Sequence, residues 1–458
     1  MTALDTDDAV DAAPTRSQAY LDDRAHVFHS WSAQATLDPL VIAGAEGSRF
    51  WDDRGTTYLD FSSQLVNVNI GHQHPKLVAA IKAQADTLCT VAPIHANEAT
   101  SEAARLIAEL APGDLDMVFF TNGGAEATEN AIRMARHHTG RQKVLTTYRS
   151  YHGATAAAIT MTGDPRRWGS ELGAPGMVKF WGPYTYRSAF HAADDAEECE
   201  RALAHLADVI MVEGAHNIAA IVLETVVGTN GILVPPDGYL QGVRDLCDRH
   251  GIVMIADEVM AGFGRCGEWF AVDHWDVAPD LICFAKGVNS GYVPLGGVVI
   301  SRRVAASFAE RAYPGGMTYS GHPLACASAV ASINIYKEEG IVEHARHLGT
   351  DVVGPALADM AERHPSVGDV RGLGVFWAIE LVRDRHTREP LVPYNATGAD
   401  NRPMLELAAA CKQRGLWPFT HFNRLHVVPP LTISDDDMRT GLAIIDEALD
   451  VADEHAAG

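Results

Sequence analysis

Between residues 117 and 301 the chain alternates short apolar, β-branched runs with amphipathic stretches, and this alternation restricts the fold more than any other feature. The runs at 117–121, 143–148, 219–224, 252–257, 281–285 and 297–301 have almost no polar face. Strands of that kind belong in a mostly parallel sheet covered on both sides by crossover helices. Helical stretches lie between them. Residues 125–137 carry Ala127, Ala131, Met134 and Ala135 near the 3.6-residue period, and residues 237–250 stop at Gly251, a residue suited to closing a helix.

Beyond about residue 335 the pattern changes. Residues 367–382 suggest paired strands around Gly372 and Gly374, 401–414 a helix, 425–428 a short strand before Pro429-Pro430, and 435–455 a closing helix. The expected organisation is a large α/β domain over 76–334 and a small α+β domain over 335–458. Residues 16–75 contribute to the small domain, and 1–15 form a frayed tail.

Composition excludes several classes of function. A net charge of −23 over 458 residues would repel the phosphates of nucleic acid. No run of about eighteen apolar residues is present, so no membrane span is expected. The acidic start lacks the apolar core of a signal peptide, and the seven cysteines are scattered and odd in number, as suits reduced thiols in a cytoplasm. His72, His74 and the His137-His138 pair have no cysteine or carboxylate at ligand spacing, so no metal site is expected.

Two residues carry the strongest chemical signal. Lys286 ends the apolar run Leu281-Ile282-Cys283-Phe284-Ala285, where desolvation would favour the neutral amine and hence imine formation. Asp257 ends another such run and opens Asp257-Glu258-Val259, followed by a stretch too rich in glycine for an ordinary helix start. A buried carboxylate there could keep a pyridine nitrogen protonated. Gly123, Gly124 and Ala125 lie between a strand and a helix, where unpaired amides and the helix dipole would seat a phosphate. Tyr151 and His152 offer a flat face at the end of another strand. Thr318 sits in a loop dense in glycine and hydroxyl groups and is a candidate phosphate contact.

In this order these segments resemble the class III (ω) aminotransferases, fold-type I enzymes that use pyridoxal 5′-phosphate. The resemblance runs from Phe50-Trp51-Asp52 to Pro429-Pro430 and is most specific at Asp257-Glu258-Val259, Gly262-Phe263-Gly264-Arg265 and Ala285-Lys286-Gly287. It implies Lys286 as the Schiff-base lysine and proton shuttle, Asp257 as partner of the pyridine nitrogen, and Val259 and Tyr151 on opposite ring faces. It further implies phosphate contacts from Gly124 and Ala125, Glu224 as a supporting acid near the cofactor, and Thr318 reaching the phosphate of the other subunit of a homodimer. Trp51, Val66 and Arg424 are the candidates on the substrate side. The chain departs from the family at Gly123-Gly124-Ala125, which replaces a frequent Ser-Gly-Ser. It departs again at Val66, where tryptophan is common, and at Phe419, where many members carry a carboxylate-clamping arginine.

The activity implied is transfer of an amino group from an amine or ω-amino acid, such as taurine or β-alanine, to a keto acid, with pyruvate expected. A γ-aminobutyrate or diamine aminotransferase using 2-oxoglutarate, or another pyridoxal-phosphate chemistry on the same scaffold, is the alternative. A nucleotide-binding dehydrogenase is disfavoured because no Gly-x-Gly-x-x-Gly opens a helix after the first strand.

Overall fold

Every side chain of Ile218–Glu224 and of Val253–Asp257 is buried, which places these two strands in the middle of a sheet with no solvent face. In the computed structural model, which describes residues 16–456, they belong to a seven-stranded sheet; the tail expected over 1–15 lies outside the described residues. Its strands are β1 (Leu115–Thr121), β2 (Lys143–Thr147), β3 (Met177–Phe180), β4 (Ile218–Glu224), β5 (Val253–Asp257), β6 (Leu281–Phe284) and β7 (Gly296–Ser301). They lie side by side in the order β1-β7-β6-β5-β4-β2-β3.

The strands from β3 to β6 run parallel, whereas β7 is antiparallel to both β6 and β1. The link between β6 and β7, residues 285–295, contains only a short 3₁₀ turn. A parallel return needs a crossover of a dozen or more residues, so this link can only reverse the chain. The strand β3 had no place in the sequence-based expectation. It is short, its side chains are mostly half-buried, and it forms the sheet edge between Gly176 and Trp181, where burial leaves little pattern to read.

The helix α1 (Gly124–Thr139) buries Ala127, Ala131, Ile132, Met134 and Ala135 and stops at Gly140 in the left-handed conformation. Gly251 ends Tyr239–His250 in the same way, at φ 61°.

Two smaller sheets complete the chain. Ile42–Glu46, Arg49–Asp52 and Thr57–Asp60 form an antiparallel meander. Leu416–Trp417 joins it in parallel, pairing Leu416 with Leu59 and Trp417 with Asp60, so the N-terminal segment is tied to the C-terminal part. Val367–Leu373, Phe376–Asp384, Arg424–Val427 and Phe419–His421 make the second sheet. Helix Pro323–Glu338 runs through the boundary expected near residue 335, and one apolar core contains Phe120, Phe284, Leu425 and Leu442 together. Fully buried Arg265 ties the parts together, donating to the carbonyls of Val375 (3.0 Å) and Pro429 (2.6 Å) and to Asn69 Oδ1 (2.8 Å). Among the described residues no helix is long and apolar enough to cross a membrane.

Candidate active site

Register brings the chemistry to one edge. Glu224 at the end of β4 pairs with Asp257 at the end of β5, and Asp257 pairs with Cys283 of β6, three residues before Lys286. The carboxyl ends of parallel strands are where open α/β sheets place their ligands, because the loops there diverge.

Asp257 is buried. Its Oδ1 accepts from the Val259 amide (3.1 Å), and its Oδ2 lies 2.7 Å from His152 Nδ1. The other ring nitrogen of His152 is 3.2 Å from Thr146 Oγ1. Burial works against a charged imidazole here, but the hydrogen bond and charge of Asp257, with Glu224 and Asp164 behind them, outweigh it and raise the His152 pKa. The shift favours the protonated ring, and the contact fixes the orientation of Asp257.

Glu224 accepts from the amides of Tyr151 (2.9 Å) and Gly228 (2.8 Å). Burial pushes its carboxyl up to about 7, against the opposing pull of His152. Lys286 adopts φ 47°, a conformation that costs a non-glycine residue roughly 1–3 kcal/mol and is kept where the surroundings dictate it. The next residue must be glycine, since a Cβ on Gly287 would come within 2.4 Å of Asn69 Nδ2.

Although part of its surface stays open to the site, the protein packed around Lys286 lowers its ammonium to about 8 by desolvation, while Glu224 and Asp257 pull the other way. A lowered pKa means more free amine at a given pH. Modification of Lys286 by an amine-selective acylating reagent in the cofactor-free protein should therefore reach half its maximal rate near pH 8, as read by peptide mass spectrometry. A midpoint near the ordinary lysine value would contradict the desolvated environment.

The expected phosphate seat is the start of α1. Gly124 and Ala125 supply first-turn amides that have no acceptor within the helix, and a Cβ on Gly123 would meet nothing within 4 Å, so the space before the helix is open. A Cβ on Gly124 would strike Val259 Cγ1 at 2.8 Å, and one on Gly153 would strike Ala125 Cβ at 2.5 Å. Glycine at these two places lets Val259 and the Tyr151-His152 turn close against the helix start. Tyr151 is half-buried beneath Arg166, whose guanidinium carbon lies 3.6 Å from the ring centroid.

The remaining expected residues fall elsewhere. Thr318 is exposed, on a loop anchored by the Ser320 hydroxyl donating to the Phe120 carbonyl (2.8 Å). Trp51 lies in the N-terminal meander against Gly44, bordering a hollow with Arg49 and Asp437. Val66 is 1% exposed at φ 56° and packs in the core with Val226, Met260 and Val428. Arg424 is buried and donates to Glu380 Oε2 (3.2 Å).

Reading the sequence did not single out Arg149, Arg166, Asp164 or Glu380. Arg149 carried the same signal that drew attention to Lys286, a cation just past an apolar run. Glu380, by contrast, sits within an apolar strand and only folding reveals its three guanidinium partners, Arg187, Arg371 and Arg424. One group of potential metal ligands, His364 with Asp450 and Asp453, comes together among the described residues, but the imidazole is already held by Asp453 (2.7 Å) and Asp446 (2.9 Å).

An amine with a lowered pKa, a buried carboxylate hydrogen-bonded to an imidazole and an open seat before a helix form one constellation. It fits the aldehyde, the ring nitrogen and the phosphate of pyridoxal phosphate. The model of the class III aminotransferase family matches residues 31–449. The chain belongs to that family. It is 35% identical to the 4-aminobutyrate aminotransferase of Escherichia coli over 91% of this chain and 95% of that protein. Identity to the putrescine–pyruvate aminotransferase of Pseudomonas aeruginosa is 32%, over 90% of each. Among solved structures, the taurine:2-oxoglutarate aminotransferase of Bifidobacterium kashiwanohense, in complex with pyridoxal phosphate and glutamate, superposes with a TM-score of 0.92 at 42% identity, covering 96% of this chain and 98% of that one. The fold is therefore that of a fold-type I pyridoxal-phosphate enzyme, and the protein is a pyridoxal-phosphate-dependent aminotransferase.

Proposed function

We propose that this aminotransferase moves the amino group of a primary amine bearing a distal acidic group, of the taurine, β-alanine or 4-aminobutyrate kind, to a keto acid. The observation that carries the reading is the convergence of Lys286, Asp257 and Glu224 at adjacent strand ends, with the Arg166 guanidinium over the neighbouring Tyr151 ring. Lys286 would hold the cofactor through its aldehyde and would take up and return the proton at the substrate carbon. Asp257, fixed by His152, would hold the pyridine nitrogen, Tyr151 and Val259 would cover the ring, and Gly123, Gly124 and Ala125 would hold the phosphate. Bound in this seat, the cofactor supplies an electron sink for the bond that is broken at the amine carbon.

Pyruvate is the acceptor in this reading. 2-Oxoglutarate is the second candidate, favoured by the substrate of the Bifidobacterium relative. The enzyme acts as a homodimer in the cytoplasm, with Thr318 of each protomer completing the phosphate seat of the other. The exposure of Thr318 and the seven free cysteines support this.

A donor panel tests the assignment. Taurine, β-alanine, 4-aminobutyrate and 1-phenylethylamine are each offered with pyruvate or 2-oxoglutarate, and the alanine or glutamate formed is measured. At least one acidic amine is expected to exceed 1-phenylethylamine in kcat/KM by tenfold or more. A preference for the neutral amine would remove the distal acidic group from the substrate definition.

A further inference from the structure

A hollow borders Glu224 and is lined by Tyr148, Arg149, Trp181, Tyr184 and Tyr239. Arg149 follows β2 in the left-handed conformation, φ 60°, which turns the chain out of the sheet toward this space. Its guanidinium carbon lies 4.7 Å from the Tyr184 ring centroid and 5.7 Å from that of Trp181. Among the described residues no carboxylate comes within ion-pair distance of Arg149, although the side chain is half-buried. Arg166, Arg187, Arg244, Arg371 and Arg424 each have an acidic partner, and Arg265 and Arg141, which have none among the described residues, donate instead to backbone carbonyls.

The surroundings deepen the charge imbalance. On the Tyr184 ring Arg371 lies at 5.0 Å, and the Tyr184 hydroxyl donates to Glu380, which already serves Arg187, Arg371 and Arg424. Asp369 adds one further carboxylate, on Arg371. Among the described residues the ion pairs of Arg187, Arg371 and Arg424 are with Glu380 and Asp369, and Arg149 has none. Glu224 borders the cavity, but burial leaves it about half protonated at neutral pH. In a chain of net charge −23 this is a local excess of positive charge, and the hollow that Arg149 lines reaches Glu224 at the end of β4. A half-buried cation without a partner is costly to keep, and the cost is recovered when an anion enters.

We propose that Arg149 is a specificity-determining residue that binds the acidic group at the end of the substrate remote from its amino or keto carbon. The inference rests on the transamination reading above and deepens it. The planar guanidinium suits a carboxylate or a sulfonate equally, both being arrays of oxygens that accept paired N–H donors. The aromatic walls contributed by Trp181 and Tyr184 hold the guanidinium plane in place and lower the entropic cost of ordering it.

The test compares wild type with Arg149→Met and Arg149→Lys in single-turnover donor half-reactions of the holoenzyme. Taurine, β-alanine and the neutral, similarly sized propylamine serve as donors. In Arg149→Met the ratio of kcat/KM for β-alanine over propylamine is expected to fall roughly ten- to hundredfold through KM, with Arg149→Lys recovering part of the loss. A loss for taurine alone would assign the site to sulfonates, and a loss for β-alanine alone to carboxylates. Calorimetric titration with the unreactive dicarboxylate glutarate should show a matching drop in affinity. An unchanged ratio, or an equal fall for all three donors, would overturn the role of Arg149. A wild-type enzyme that accepts no acidic amine would instead refute the functional reading itself.

Discussion

Replacing Lys286 by alanine is expected to lower turnover by about four orders of magnitude, the upper end of what one acid–base group contributes, with the covalent link lost as well. The expected phenotype is narrower than inactivity. The α1 amides, the Asp257 carboxylate and the ring contacts of Tyr151 and Val259 do not depend on the lysine side chain, so the variant should still hold pyridoxal phosphate noncovalently. Borohydride reduction followed by peptide mapping should label Lys286 in the wild type and nothing at that position in the variant. Retention of full activity would remove Lys286 from the mechanism.

Asp257→Asn is the second large effect. The substitution keeps the shape of the side chain and its hydrogen-bonding reach but removes the charge facing the ring of His152. Taking one partner from a buried ion pair costs about 3–5 kcal/mol. If that energy is expressed in the reaction, kcat falls on the order of 10²- to 10³-fold. A second readout separates this from simple misfolding. Burial already opposes a charged His152, and the carboxylate of Asp257 is the foremost influence against it. Without that charge the His152 pKa should drop, and an NMR titration of the ring would follow it. A His152 pKa that stays raised in the variant would mean that other groups hold its proton, and the coupling described here would be wrong.

The parts of the fold legible beforehand were those where local composition and tertiary burial agree. Strands β4 and β5 are buried on both faces, so every residue is apolar up to the terminal acid, and both their position and the exceptional status of Asp257 could be read directly, whereas Glu224 was marked only by the family resemblance. The helix before Gly251 was legible because a left-handed terminator leaves a mark at one position, and α1 because its buried alanines and Met134 recur near the helical period. Edge strand β3 had neither signal. Val66 shows the limit from the other side. Its alignment with a pocket position made it a substrate candidate, yet the structure buries it at 1% exposure among Val226, Met260 and Val428, since a short, positive-φ turn carries it into the core.

The sequence by itself determined the alternating strand and helix elements, the lysine and the aspartate at strand ends, and the glycines before α1. Each depends on what one segment does with its own backbone and burial, and that is encoded within a few neighbouring residues. Only the tertiary structure decided that His152 meets Asp257 across 105 positions, and that Glu380 gathers arginines from three separate segments. It alone left Arg149 without a counter-ion. Charge balance is a property of everything within a few ångströms, and which residues come that close is settled by sheet order and packing rather than by spacing along the chain.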